Sequence, residues 1–297
     1  MITPFTDDNR PDFTAIKKMV DWYVDKGCNG IFAVCQSSEM FFLSQREKVD
    51  IARCVWEAAA GRVKVIASGH TSDAPEAQEM EIAAMAQLHL DAVVLVSNRF
   101  AAKEESEAVF NRNFHRIVEK FPGTQFGMYE CPYPYKRLVE DAFLRECAET
   151  GALRFLKDTC CEPLMLKRRA ILAAGSSLAL FNANSATLLE SLRLGYAGFN
   201  GIMGNYHPDL YVWLLQNFKD RPDQAQRLSD LLALMAMTEA RSYPISAKYH
   251  FSRNGVPMSL HSRSGDMRQF NANDRLSHDA MMRVEKMARE CLELCER

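Results

Sequence analysis

Seven short, nearly continuous apolar runs alternate along the chain with longer stretches in which apolar residues recur at helical spacing. The runs are GIFAVC (30–35), VKVIAS (63–68), DAVVLV (91–96), QFGMYE (125–130), LRFLK (153–157), SLALFN (177–182) and AGFNGI (197–202). An unbroken apolar run of this length is how a strand reads when both of its faces are covered, as in a parallel sheet flanked by helices. The intervening stretches carry helix signals. Residues 12–26 repeat Phe13, Ile16, Val20 and Tyr23 along one face and stop at Gly27, a residue free to take the left-handed conformation of a helix end. Ser44 followed by Glu47 is a capping box, opening a helix that ends before Gly61. Pro75 marks the start of the next.

The alternation continues to about residue 218. An eighth strand, first in the chain, has only the stub Ile2-Thr3-Pro4 to supply it. Eight such units predict an α/β fold, a (β/α)8 TIM barrel over residues 1–220. Residues 221–297 are expected to form a C-terminal helical extension packed on the barrel. In it, 225–240 and 276–294 read as helices and 243–273 as a turn-rich connection. An open doubly wound sheet is the alternative, but no GxGxxG or GxxxxGK[ST] run supports its nucleotide-binding form. So short a first strand is also what a chain lacking an upstream segment would show.

Composition acts mainly by exclusion. Hydrophobic residues make up 47% of the 297, enough to bury a core, so a disordered chain is excluded. A net charge of −2 gives no reason to expect a nucleic-acid partner. No apolar run approaches the ~20 residues of a membrane helix, and the N-terminus lacks a signal-peptide profile. The expectation is a cytoplasmic protein with no membrane partner. The nine cysteines are odd in number and irregular in spacing, which favours reduced thiols. Cys291 and Cys295 lie four apart, with no neighbouring histidine to complete a zinc site. No metal and no cofactor are expected.

Barrel active sites are built at the C-terminal ends of the strands. Those ends carry Ser37 and Ser38, Tyr129, Lys157 with Thr159, and Asn200. Lys157 follows an apolar run, which points its amine into the barrel mouth. A lysine in a low-dielectric pocket has a lowered pKa and can attack a carbonyl to form a Schiff base. Tyr129 comes from the preceding strand and can relay protons to a carbinolamine or a leaving hydroxyl. Amides and hydroxyls around Ser37 and Ser38 can hold a carboxylate. Taken singly, a strand-end lysine is more often solvated or salt-bridged than a nucleophile, and a strand-end tyrosine is more often packing.

The ordered set of fragments resembles the dihydrodipicolinate synthase / N-acetylneuraminate lyase family. Ile2-Thr3-Pro4-Phe5 is similar to its TPF-like start. Cys35-Gln36-Ser37-Ser38-Glu39 stands at its G-[ST]-[ST]-G-E loop. Tyr129-Glu130-Cys131-Pro132 stands at Y-N-x-P, and Leu156-Lys157-Asp158 at I-K-[DE]. Gly195 to Gly198 with Asn205 stands at the eighth-strand G-x-x-G…N pattern. The resemblance implies a Schiff-base pyruvate aldolase on a (β/α)8 barrel. In it, Lys157 would be the imine-forming lysine, Tyr129 the proton-relay tyrosine and Ser37 part of the carboxylate loop. Thr159 matches a threonine that the lyases place after the lysine. The family's barrels are commonly homotetramers, dimers of dimers. Phe100, taken as an aromatic exposed at a strand end, would lie at the tight dimer contact.

Departures from the pattern bear on substrate. Gln36 replaces the hydroxyl that passes protons to the tyrosine. Phe100 stands where the synthases carry a second tyrosine, and Pro134 where they carry a carboxylate-gripping arginine. The reading is a lyase acting on a 2-oxo acid, by retro-aldol cleavage releasing pyruvate, and not dihydrodipicolinate synthesis. A keto-deoxy-aldarate type dehydratase using the same imine, and a non-catalytic 2-oxo-acid binder, are the alternatives. Arg137, beyond the Tyr133–Tyr135 segment, is expected to take over from the missing arginine and pair with a distal carboxylate; a solvated surface cation is the other reading of it.

Overall fold

The computed structural model describes residues 1–292; Cys295, half of the cysteine pair considered above, lies outside them. Every apolar run contributes a strand: β1 Gly30–Phe32, β2 Lys64–Ala67, β3 Ala92–Val96, β4 Phe126–Tyr129, β5 Phe155–Asp158, β6 Ala179–Asn182 and β7 Gly198–Phe199. All pairings are parallel, and the strands lie side by side in chain order. Helices alternate with them: α1 Phe13–Asp25, α2 Gln45–Ala59, α3 Pro75–Ala86, α4 Glu107–Lys120, α5 Asp141–Thr150, α6 Pro163–Ala173, α7 Leu188–Arg193 and α8 Pro208–Asn217. This is a TIM-barrel architecture, its sheet curled and covered by helices.

The start signals act as the sequence indicated. Asp12 caps α1 by accepting from the Thr14 and Ala15 amides, and Ser44 and Glu47 close a reciprocal capping box on α2. The stub at residues 2–4 forms no ladder. It runs beside β1, where the Met1 amine donates to Phe32 O at 2.7 Å and the Thr3 hydroxyl to Ser38 O at 2.9 Å. Ile2 and Phe5 are fully buried there. Inside the barrel, Phe32, Phe155 and Phe181 form an aromatic floor, with ring centroids 6.5 and 5.1 Å apart in turn. Gly127 makes room for it: a Cβ at that position would meet the Phe155 ring at 2.8 Å.

Beyond the sheet come α9 Pro222–Ala236, α10 Ile245–Arg253 and α11 Ala272–Cys291. The stretch expected to be turns from 243 to 273 therefore contains a helix. In α10 every residue from Ile245 to Phe251 is buried, so it has no polar face over that span and no amphipathic rhythm to betray it. Its Lys248 amine reaches Glu39 at 2.9 Å, joining this segment to the loop after β1. Among the described residues, no helix is long and apolar enough to cross a membrane.

Candidate active site

The register of β4 and β5 sets Tyr129 directly beside Lys157. The Lys157 amine lies 4.4 Å from the centre of the Tyr129 ring and 5.8 Å from that of Phe32. Only 7% of Lys157 is exposed. Burial lowers its pKa from the ordinary lysine value, with Cys35, Cys131 and Glu239 opposing the shift. Burial likewise pushes the Tyr129 phenol well above its usual value, so it stays a proton donor. That proton goes to Gln36 Oε1 at 3.1 Å, which also accepts from Cys131 Sγ at 3.5 Å.

The loop after β1 turns through a short 3-10 helix, Gln36–Ser38. The first amides of such a turn have no partner within it. The site is closed from the C-terminal side by residues that no motif had marked. Glu239, in the turns after α9, is near enough to Lys157 for the two charges to interact, and burial raises its pKa. The Tyr243 phenol accepts from Asn205 Nδ2 at 3.1 Å, and burial pushes its pKa well above the usual value. Asn205 belongs to the eighth-strand pattern and Tyr23 to the α1 face, but nothing in either signal placed them together.

The remaining expected site residues fare differently. Ser37 stands at the mouth. Ser38 is fully buried, its hydroxyl turned back to Met1 O and Ala33 O at 2.8 and 2.7 Å; it braces the loop and does not face a substrate. Thr159 donates its hydroxyl to Glu130 O at 2.8 Å, which also makes it a brace. Asn200 directly follows β7, its backbone amide bonded to Asn182 O at 2.8 Å. The expectation for Arg137 is corrected. It is not a solvated surface cation, because it is buried and its two terminal nitrogens are tied to Ala102 O, Glu105 O and the Glu107 carboxylate. Phe100 is corrected too. It is fully buried, 4.7 Å from the His70 ring centre and packed edge-on against Phe110 and Phe114.

Behind the site lies an ion triad that holds the two strand ends. Arg169, fully buried, reaches Glu130 at 2.6 Å and Asp158 at 2.8 Å. Glu130 also accepts the amides of Val139 and Thr159 at 2.8 and 3.0 Å. Burial pushes the Asp158 carboxyl up, but Arg169 and the Cys160 amide outweigh it and hold the pKa below the usual range. Residues 129 and 157 are thus each followed by an acid clamped to one arginine. Among the described residues, no group of three or more His, Cys, Asp or Glu side chains is arranged to hold a metal ion.

A family model described as the dihydrodipicolinate synthetase family matches residues 1–271. A 4-hydroxy-tetrahydrodipicolinate synthase of Laribacter hongkongensis is 27% identical over 270 residues, covering 88% of this chain and 89% of that protein. The fold is similar to a dihydrodipicolinate synthase of Acinetobacter baumannii solved with pyruvate, with TM-score 0.85, 19% identity, and 96% and 97% of the two chains covered. It is equally similar to a Ruminococcus gnavus sialic acid aldolase, a catalytic lysine mutant, with TM-score 0.85, 14% identity and 97% and 94% covered.

Proposed function

The chain belongs to the dihydrodipicolinate synthetase family and is an enzyme of the class I aldolase type, and on that premise we propose that it cleaves a 4-hydroxy-2-oxo acid through a Lys157 imine and releases pyruvate. The observation that carries this reading is a strand-end lysine, 7% exposed, its amine against the face of Tyr129. Desolvation favours the neutral amine that attack requires. The amine adds to the C2 carbonyl, and loss of water gives the imine. The iminium then accepts the electron pair of the breaking C3–C4 bond, the C4 hydroxyl loses its proton, and the aldehyde departs. Protonation at C3 and hydrolysis return pyruvate and free Lys157. Tyr129 carries the proton of these steps, and the amide and hydroxyl of Ser37 hold the C1 carboxylate. A relative solved with pyruvate is consistent with that ligand.

Dihydrodipicolinate synthesis is not the proposed reaction. Phe100 and Pro134 offer neither a phenol nor a guanidinium, and Arg137 is already occupied by Glu107. The distal acid expected on the substrate thereby loses its partner. A panel of 4-hydroxy-2-oxo acids, assayed for pyruvate and for loss of water, tests the proposal. Dehydration without pyruvate would favour the dehydratase reading, and imine trapping without any turnover would favour the binder. Efficient condensation of pyruvate with aspartate semialdehyde would overturn the exclusion of the synthase. The proposed assembly is a cytoplasmic homotetramer, supported by Leu164 and Ile171, which α6 leaves exposed.

A further inference from the structure

Two donors converge on one oxygen close to the Lys157 amine. The Tyr129 hydroxyl donates to Gln36 Oε1 at 3.1 Å, and the Cys131 thiol donates to the same atom at 3.5 Å. A carboxamide accepts a hydrogen bond but does not titrate in the working range of a protein, so it does not take the proton. Cys131 opens no other way out: it is fully buried, and burial pushes its thiol up to about 11. Tyr129 itself is only 4% exposed. A proton on Tyr129 is therefore held there until an atom of the substrate takes it. The amide also suits the phenolate left behind. Rotation about the last side-chain bond of glutamine is broad and soft, so Gln36 can turn its Nε2 donor to the tyrosine oxygen in place of Oε1.

We infer that Gln36 is a positioning residue that closes the proton path of Tyr129, so that this proton moves only between Tyr129 and the reacting atoms while the imine stands. The inference rests on the proposed function, and the protons balance on it. The neutral Lys157 amine adds to C2 and moves one of its protons to the new hydroxyl. Tyr129 gives its own proton to that hydroxyl, the C–O bond breaks, and water leaves a protonated iminium beside a phenolate. The phenolate takes the C4 hydroxyl proton as the C3–C4 bond breaks, and the refilled phenol gives it to C3 of the enamine. Hydrolysis runs the first steps backwards and restores both Tyr129 and Lys157. No step asks Gln36 to carry a proton.

Pyruvate alone tests this, because its methyl carbon is C3 of the imine and the phenolate can take a methyl proton and return it. The full-length chain is incubated with pyruvate in deuterium oxide. Methyl deuteration is followed by proton NMR, and imine formation by borohydride trapping with mass spectrometry; Lys157→Ala gives the blank. Return of the same proton should make deuteration at least about tenfold slower than trapping. Trideuterated pyruvate washing out into ordinary water should show no primary isotope effect, since escape of the proton from Tyr129, not cleavage of the C–H bond, is then limiting. Gln36→Glu places a base where the path ends and should raise the ratio of deuteration to trapping about tenfold. Gln36→Met, similar in length but without the amide, should slow trapping and leave that ratio within about twofold. Deuteration that keeps pace with trapping in the parent chain would overturn the inference. So would a primary isotope effect, a ratio unmoved by Gln36→Glu, or one raised equally by Gln36→Met. Trapping with full exchange overturns the closed path alone, whereas no trapping at Lys157 overturns the imine and this inference with it.

Discussion

Lys157 and Tyr129 are the residues most legible from the sequence, because a charged side chain ending an apolar strand has few places to go. Pyruvate with borohydride should add a reduced pyruvyl group to Lys157, and peptide mass spectrometry should find none in Lys157→Ala. A label elsewhere in that variant would refute the assignment. The same burial that frees the amine has a thermodynamic signature. The folded-state pKa lies below the unfolded value of about 10.4. Between the two values the unfolded chain binds more protons, so stability rises with pH there, and at neutral pH the lysine is a net cost. Lys157→Met should therefore raise Tm at pH 7 by about 2–4 °C, for ~1 kcal/mol regained, while abolishing trapping. A lower Tm would show that the lysine is stabilised in place. Tyr129→Phe keeps the ring over the amine and removes the proton. Turnover should fall ~100-fold or more, with stability changed by less than about 1.5 kcal/mol; steady-state kinetics at near wild-type rate would assign the proton elsewhere. Arg137 was misread for a simple reason: residue type gives charge, but whether a partner such as Glu107 has already claimed it depends on the fold.

Among elements, the seven strands and the capped helices were readable because their burial is periodic or continuous within one segment. The helix α10 was not, since its burial comes from elements far away in sequence. Nor were Glu239 and Tyr243, which sit in turns without a motif. What fixes them is Glu39, held in the left-handed backbone region with φ 62°. Its carboxylate accepts from Lys248, the hydroxyls of Ser262 and Ser264, and the amides of Arg263 and Ser264, at 2.6–3.0 Å. Burial pushes this carboxyl up, but Lys248 and the hydroxyl and amide donors outweigh it, and the net shift is downward. Its stabilisation is present above the unfolded pKa of about 4.3 and is lost as pH falls through the lower folded value. Glu39→Gln leaves Lys248 buried opposite a neutral amide, a change expected to cost about 3–5 kcal/mol. Hydrogen exchange in 239–265 should rise in this variant at pH 7, and in the parent chain only below about pH 4. Protection unchanged in the variant would show that the segment docks without the ion pair.

At the scale of the whole molecule, light scattering at micromolar concentration should report four subunits. A monomer would remove the proposed assembly, and Phe100 offers no argument for it, being sealed within its own chain. The ion pair between Glu39 and Lys248 spans 209 positions. On a ribosome adding ~5–20 residues per second, the carboxylate waits on the order of 10–40 s for its amine. Within that interval, once β7 has ended at Phe199 and until residues 239–243 are added, the strands are present but the mouth lacks Glu239 and Tyr243. Until then Lys157 lacks part of the cover whose desolvation lowers its pKa. That part of the cover over Lys157 is therefore contributed by residues made some 80 positions after the lysine itself.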